Sequence, residues 1–136
     1  MRKKISLIIF SLLIFLVTVF SIFGKRIRDN YSPHVEVMPP IIYTFPDGTA
    51  SMVALVNTCF STNEEGITTA YIVEENSNSG EKAFYAKQIE LTLGKSDGKY
   101  SDVRKASTLD ALFIYHTDRK ITDGERVVID KISNNP

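Results

Sequence analysis

The sequence predicts a mainly β protein in which one N-terminal transmembrane helix is followed by a small antiparallel β-sandwich or open β-barrel domain. An uncharged stretch opens the chain, and short runs rich in β-branched and aromatic residues follow, separated by Asp-Gly turn signals. We therefore expect residues 1–28 to form a membrane anchor with basic flanks, 29–40 to form a proline-containing linker, and 41–136 to form an extracytoplasmic β domain.

The predicted anchor is the stretch from Ile5 to Phe23, which contains no charged residue. At about 1.5 Å per residue such a helix reaches roughly 28 Å, close to the ~30 Å hydrocarbon core of a bilayer. A cleaved signal peptide is the alternative, but it would need small residues near its end, where this chain has Ile22 and Phe23. We expect an uncleaved anchor whose residues 5–23 contact membrane lipid.

The orientation of the anchor follows only in part from its flanking charges. Three basic residues precede the apolar stretch and three follow it, so the positive-inside rule discriminates little. A short basic head before a long folded tail favours insertion with the N-terminus inside. We expect a single-pass protein of the cell membrane with its C-terminal domain outside.

Charge and composition exclude several classes of protein. The chain has 16 basic and 16 acidic residues; residues 1–28 carry +6 and residues 29–136 carry −6. An acidic domain argues against nucleic-acid binding. One cysteine and two histidines exclude a disulfide framework and a Cys/His zinc cage.

The segment 29–40 contains Pro33, Pro39 and Pro40, which disfavour a helix, and its Val35-Glu36-Val37 suits one extended strand. Further strands are predicted at Ile41–Phe45, Thr49–Asn57, Thr69–Glu74, 85–93, Leu112–Tyr115 and Arg126–Asp130. Turns are predicted at 46–48, 96–99 and 122–125, a polar hairpin tip at 76–80, and one helical turn at 108–111.

The sequence contains few candidates for chemistry, and we predict no catalytic, cofactor-binding or metal-ligating residue, no cofactor and no enzymatic activity. His34 and His116 are expected on the surface. Cys59 is expected to be a structural thiol, because Glu64 and Glu65 would raise its pKa. The acid pairs Glu64-Glu65 and Glu74-Glu75 are expected to be solvated, and Asp47-Gly48, Asp97-Gly98 and Asp123-Gly124 to be turns rather than calcium loops.

From Thr44 onward the chain resembles the C-terminal, membrane-proximal part of the HlyD-type membrane-fusion (periplasmic adaptor) proteins, most closely those of Gram-positive efflux ABC transporters. Strand-like segments Ala70–Glu75 and Phe84–Gly94, the polar turn Ser96–Tyr100 and the closing segment Lys120–Val128 carry the resemblance in that order, and Ser32–Val37 after the anchor is similar to the way such proteins leave the membrane.

The resemblance implies an accessory role in transport, with a multi-span ABC permease as partner and self-association possible. Family members carry lipoyl, α-hairpin and barrel regions that this chain lacks, so it would be a reduced subunit. Its candidate contacts are Tyr71, Phe84, Tyr85 and Tyr115, though core packing is the expected place for most of them. A free-standing binding or sensing module acting through a loop such as 76–80, a non-functional remnant of a larger adaptor, and a hydrolase using Cys59 with His116 or His34 remain as alternatives.

Overall fold

The computed structural model describes residues 2–76, 82–105 and 110–134. The chain divides into two compact units, Met1–Ser32 and Pro33–Pro136. The predicted hairpin tip 76–80 lies outside the described residues except for Asn76, and residues 108 and 109 of the predicted helical turn lie outside them as well.

The first unit is one helix, α1, which spans Arg2–Tyr31. Its segment Ser6–Tyr31 is long and apolar enough to cross a membrane, and an 18-residue window within it has a mean hydropathy of 2.8. The Thr18 hydroxyl donates to the Ile14 carbonyl at 2.8 Å, which satisfies its polar group within the helix. The helix ends where both the backbone N–H and the hydroxyl of Ser32 donate to the Arg28 carbonyl.

The second unit is built from β-strands, which confirms the predicted mainly β fold. The described strands are β1 His34–Met38, β2 Ile41–Thr44, β3 Ala50–Val56, β4 Phe60–Thr62, β5 Thr68–Asn76, β6 Ala83–Ser96, β7 Tyr100–Lys105, β8 Leu112–Thr117 and β9 Arg126–Ile132. A short 3-10 turn, Asn57–Cys59, joins β3 to β4. The sequence did not predict β4 and β7.

Five of these strands close into a ring in the order β5, β6, β9, β1 and β8. Strand β6 pairs with β5 over nine residues, whereas β8 pairs with β5 only through Phe113 and Leu112. Strand β1 lies between β8, to which it is antiparallel, and β9, to which it is parallel. The far end of β6 pairs with β7, which continues into β3 and β2, and β4 pairs with β5.

Alternating side chains of the ring strands build two hydrophobic clusters. On β5, Tyr71 and Val73 pack into one cluster and Ala70 and Ile72 into the other, as the two-residue period of a strand requires. The first cluster contains only residues of ring strands and the segment before β9: Val35, Val37, Ala86, Ile114, Ile121 and Val127. The second joins ring strands to β3 and β7 through Met38, Leu55, Val56, Cys59, Leu91, Tyr100, Val103 and Phe113.

Within the expected linker at 29–40, the strand predicted at Val35-Glu36-Val37 is confirmed as part of β1. Helix α1 continues to Tyr31, and β1 is a central strand whose Val37 and Met38 are 0% exposed. The prolines act as boundaries: Pro33 follows the helix end, and Pro39 follows the end of β1. Flanking prolines are therefore compatible with a strand between them whose Val35, Val37 and Met38 side chains are buried.

Two methionines test whether β1 is part of the core. Met38 is fully buried, whereas Met52 on β3 is 74% exposed. We expect Met38→Ala to lower the free energy of unfolding by about 2–5 kcal/mol through lost burial and a cavity. The matched Met52→Ala should change it by less than about 0.5 kcal/mol.

Urea unfolding of the full chain in detergent micelles, followed by tyrosine fluorescence, measures both values. Equal effects of the two substitutions would show that β1 does not belong to the core.

Candidate functional site

The candidate site is a groove of about 480 Å³ in the β unit, which we call the β4–β8 groove. One edge of β5 pairs with two different strands: β4 pairs with Thr68–Ala70, and β8 pairs with Ile72 and Val73. The groove lies where the first pairing gives way to the second. Because β8 leaves β5 after Phe113, a gap opens between β8 and β4. The groove is lined by Thr58–Ser61, Thr69–Tyr71, Gln88, Ile114–Thr117, Lys120 and Ile121.

The polar groups in the floor of the groove are held in place by hydrogen bonds. The Tyr71 hydroxyl donates to the Ile121 carbonyl at 3.3 Å, and the Gln88 side-chain amide donates to the Thr69 hydroxyl at 3.2 Å. The Gln88 backbone N–H donates to the Asp123 carboxylate at 2.7 Å. The bonds to Ile121 and Asp123 connect β5 and β6 to the loop before β9, and the bond to Thr69 connects β6 to β5.

The lining of the groove is basic although the domain is acidic. Lys120 and His116 are exposed in the groove, and no Asp or Glu is among its lining residues. Within the described part of the chain, no ion pair joins either side chain to a carboxylate. The groove can therefore accept a negatively charged group without displacing a carboxylate from Lys120 or His116.

Cys59 and His116 both line the groove, so the structure brings together two residues that the sequence alternatives paired. The Cys59 side chain is only 4% exposed, and burial raises its pKa to about 12, opposed by a backbone hydrogen bond at Val56. The sequence predicted a raised pKa, but it assigned the cause to Glu64 and Glu65 rather than to burial. A thiol with this pKa is a poor nucleophile at neutral pH.

His34 is not among the residues that line the groove. Its ring nitrogen Nδ1 bonds the Asp130 carboxylate at 2.7 Å, and its backbone N–H donates to the Asp118 carboxylate at 3.0 Å. The Asp130 bond raises the pKa of the imidazole. This arrangement fastens β1 to the end of β9 and to the loop after β8.

Carboxylates that the sequence analysis considered form ion pairs on the surface or accept backbone hydrogen bonds in turns. Glu74 pairs with Lys87 at 2.6 Å and Glu75 with Lys82 at 3.2 Å. Asp97 accepts the backbone N–H groups of Lys99 and Tyr100, which lowers its pKa, and Asp47 accepts that of Thr49. Over residues 2–76, 82–105 and 110–134, no group of three or more His, Cys, Asp or Glu is placed to hold a metal ion.

The four aromatic contact candidates are mostly packed inside the β unit. Tyr71 and Phe84 contact the first cluster, and Tyr115 contacts the second while its hydroxyl donates to Glu36. Tyr85 is half-buried. The groove was missed from the sequence because it depends on which strands share the edge of β5, a non-local property with no local signal.

Comparison with known proteins adds no identification: no protein-family model, curated protein or solved structure matches this chain.

The buried thiol gives a testable reactivity. A folded pKa of about 12, against an ordinary value of 9.0 for a thiol, corresponds to about a thousandfold lower thiolate fraction. We expect iodoacetamide to alkylate Cys59 about a thousandfold more slowly in the folded chain than in urea, near pH 8. Cys59→Ala should lower the free energy of unfolding by roughly 1 kcal/mol. Comparable alkylation rates, measured by mass spectrometry, would contradict a buried thiol.

The His34–Asp130 pair predicts a pH dependence of stability. Because the folded pKa of His34 is raised above 6.5, its contribution is complete below that value and is lost as pH rises through the raised pKa. We expect the urea midpoint of the native chain to exceed that of His34→Asn most clearly near pH 5.5, and the difference to shrink toward about pH 8.5.

Asp118 and Arg119 also act on this imidazole, the first raising and the second lowering its pKa. Asp130→Asn is the matched control, since it keeps a hydrogen-bonding side chain and removes the charge. A midpoint difference that does not vary with pH would disprove the assignment.

Proposed function

We propose that this chain is a membrane-anchored, extracytoplasmic accessory subunit that binds a multi-span permease of an efflux ABC transporter and catalyses no reaction itself. The observation that carries the proposal is that one chain combines an apolar helix long enough to cross a membrane with a closed β ring. The helix α1 comes first in the chain, and β1, the strand that follows it, is a central strand of the ring.

A binding role is favoured over catalysis by the chemistry of the groove. Its thiol is buried and protonated, and its one histidine, His116, has no carboxylate among the lining residues to orient it. The remaining polar lining consists of hydroxyls, one amide and Lys120, which are groups that recognise a ligand by hydrogen bonds and charge.

A transport partner is supported by the arrangement of the segments that resemble the adaptor family. The closing segment 120–128 makes its turn at Gly124, with a φ of 78°, and enters β9 with Val127 and Val128. That strand lies beside β1, the segment that follows the anchor. The first and last strands of the β unit are thus neighbours that run in the same direction.

A free-standing binding module is the second candidate. It is favoured by the groove, which is complete within one chain and needs no partner subunit to form. The closed ring also favours either binding role over a non-functional remnant, because all five of its strands come from this chain.

Crosslinking in the membrane tests the accessory role. We expect a photoreactive residue at an exposed helix position, Leu12 or Phe15, to crosslink the tagged full-length protein to a multi-span permease identified by mass spectrometry. Replacing residues 5–23 by an unrelated apolar helix of equal length should abolish the crosslink while keeping the protein in the membrane. Removal of residues 1–24 is the second control.

Recovery of only the protein itself from well-folded material would disprove the accessory role. An equal yield with the replaced helix would show that the anchor is a tether and that any partner contact lies on the β unit.

A further inference from the structure

We propose that the β4–β8 groove binds an extended, acidic peptide segment of a protein partner, which adds as a strand along the free edge of β8. This inference deepens the proposed function, because it assigns the surface and the peptide chemistry through which a partner would be held. The observations that carry it are the edges of the bordering strands, the spare pairing capacity of β8, and the charge of the lining.

The groove is bordered by the edge of β8 rather than by its face. Four consecutive residues of β8, Ile114–Thr117, line it, together with Thr58 and Cys59 of the 3-10 turn and Phe60 and Ser61 of β4. Successive side chains of a strand point to opposite faces, so consecutive residues can line one groove only when the edge of the strand faces it. Backbone N–H and C=O groups therefore border the groove.

Strand β8 has one edge available for another strand. On its first edge, β1 pairs with it from Phe113 to Thr117. On its second edge, β5 pairs with it only at Leu112 and Phe113. Within the described ranges no strand pairs with that second edge from Ile114 to Thr117. At about 3.3 Å per residue, this free edge could pair with roughly four residues of an extended peptide.

The side-chain lining defines which peptide would fit. Tyr71, Ile114 and Ile121 offer apolar surface on one side of the groove, while Lys120 and His116 are exposed at its margin. An added strand places alternate side chains on opposite sides. Apolar side chains at every second position would reach the floor, and acidic ones between them would approach Lys120 and His116.

The charge of the rest of the domain strengthens the choice of an acidic segment at this place. Residues 29–136 carry a net charge of −6, yet no carboxylate lines the groove. Carboxylates beside the groove are already engaged: Glu36 accepts the Tyr115 hydroxyl, Asp123 accepts the Gln88 backbone N–H, and Asp118 accepts the His34 backbone N–H. An acidic segment would be repelled by most of the surface and accepted here, which favours one binding place.

Peptide selection on the full-length protein in nanodiscs of neutral lipid tests the proposal. The probe is a pooled library of capped peptides of about nine residues, randomised over all residues except cysteine. We expect the enriched peptides to alternate apolar and acidic residues. Hydrogen exchange of the complex should show new protection of those amides of Ile114–Thr117 that do not bond to β1.

Variants of both partners separate strand addition from other modes of binding. Lys120→Glu should weaken the best peptide by about tenfold or more, whereas the control Lys131→Glu, an exposed lysine of β9 outside the groove, should change its affinity less than about twofold. N-methylation of the alternate peptide amides that face β8 should weaken binding by at least about tenfold, and methylation of the others should not.

Three results would each overturn the proposal: no enrichment, enrichment without acidic residues, or full affinity after N-methylation in both registers. Lys120-dependent binding to vesicles of anionic lipid, in place of peptide, would assign the groove to lipid and also overturn it. Peptide binding without a permease crosslink would refute only the accessory role, and a permease crosslink that survives Lys120→Glu without peptide binding would refute only the groove.

Discussion

Strand β1 pairs with β8 along one edge and with β9 along the other, and the closed ring depends on both pairings. Without β1, the strands β8 and β9 would have no common neighbour, and both hydrophobic clusters would lose fully buried side chains, Val37 from one and Met38 from the other. Because β1 and β9 are the first and last strands of the β unit in sequence, the ring can close only after the whole unit has been synthesised. Such non-local pairing makes folding slow relative to a helical domain of similar size.

The same geometry that closes the ring creates the groove. Strand β5 is nine residues long, and β8 covers only two of them before it turns away along β1. A strand with one uncovered edge exposes backbone hydrogen-bonding groups, which proteins usually cover or shorten. Here β4 covers three residues of β5, and no strand of the described ranges pairs with the second edge of β8 beyond Phe113. An unpaired strand edge is thus a consequence of fitting strands of unequal length into one ring.

The sequence predicted the strands whose apolar residues are β-branched and regularly spaced, and it missed those that are stabilised by polar contacts. In β7, Tyr100 and Val103 are buried, but so is Ser101, whose hydroxyl donates to Asn57 at 2.7 Å, and Asp102 accepts the Ser51 hydroxyl. Local hydropathy cannot anticipate such partners. The strand at Val35–Val37 was predicted, but its burial was not, since that is decided by strands eighty or more residues further along the chain.

Burial and charge decide what the groove can do, and neither follows from residue identity. A cysteine and a histidine in one groove would suggest nucleophilic catalysis, yet desolvation keeps the Cys59 thiol protonated. Conversely, nothing in the sequence distinguishes Lys120 and His116. In the structure they can contact a ligand's acidic group because no carboxylate lines the same groove. In this domain of net charge −6, Glu74 and Glu75 pair with lysines, Asp97 caps a turn, and Glu36 and Asp102 accept hydroxyls. A surface from which acids are absent is therefore the place where this domain can best hold an acidic partner.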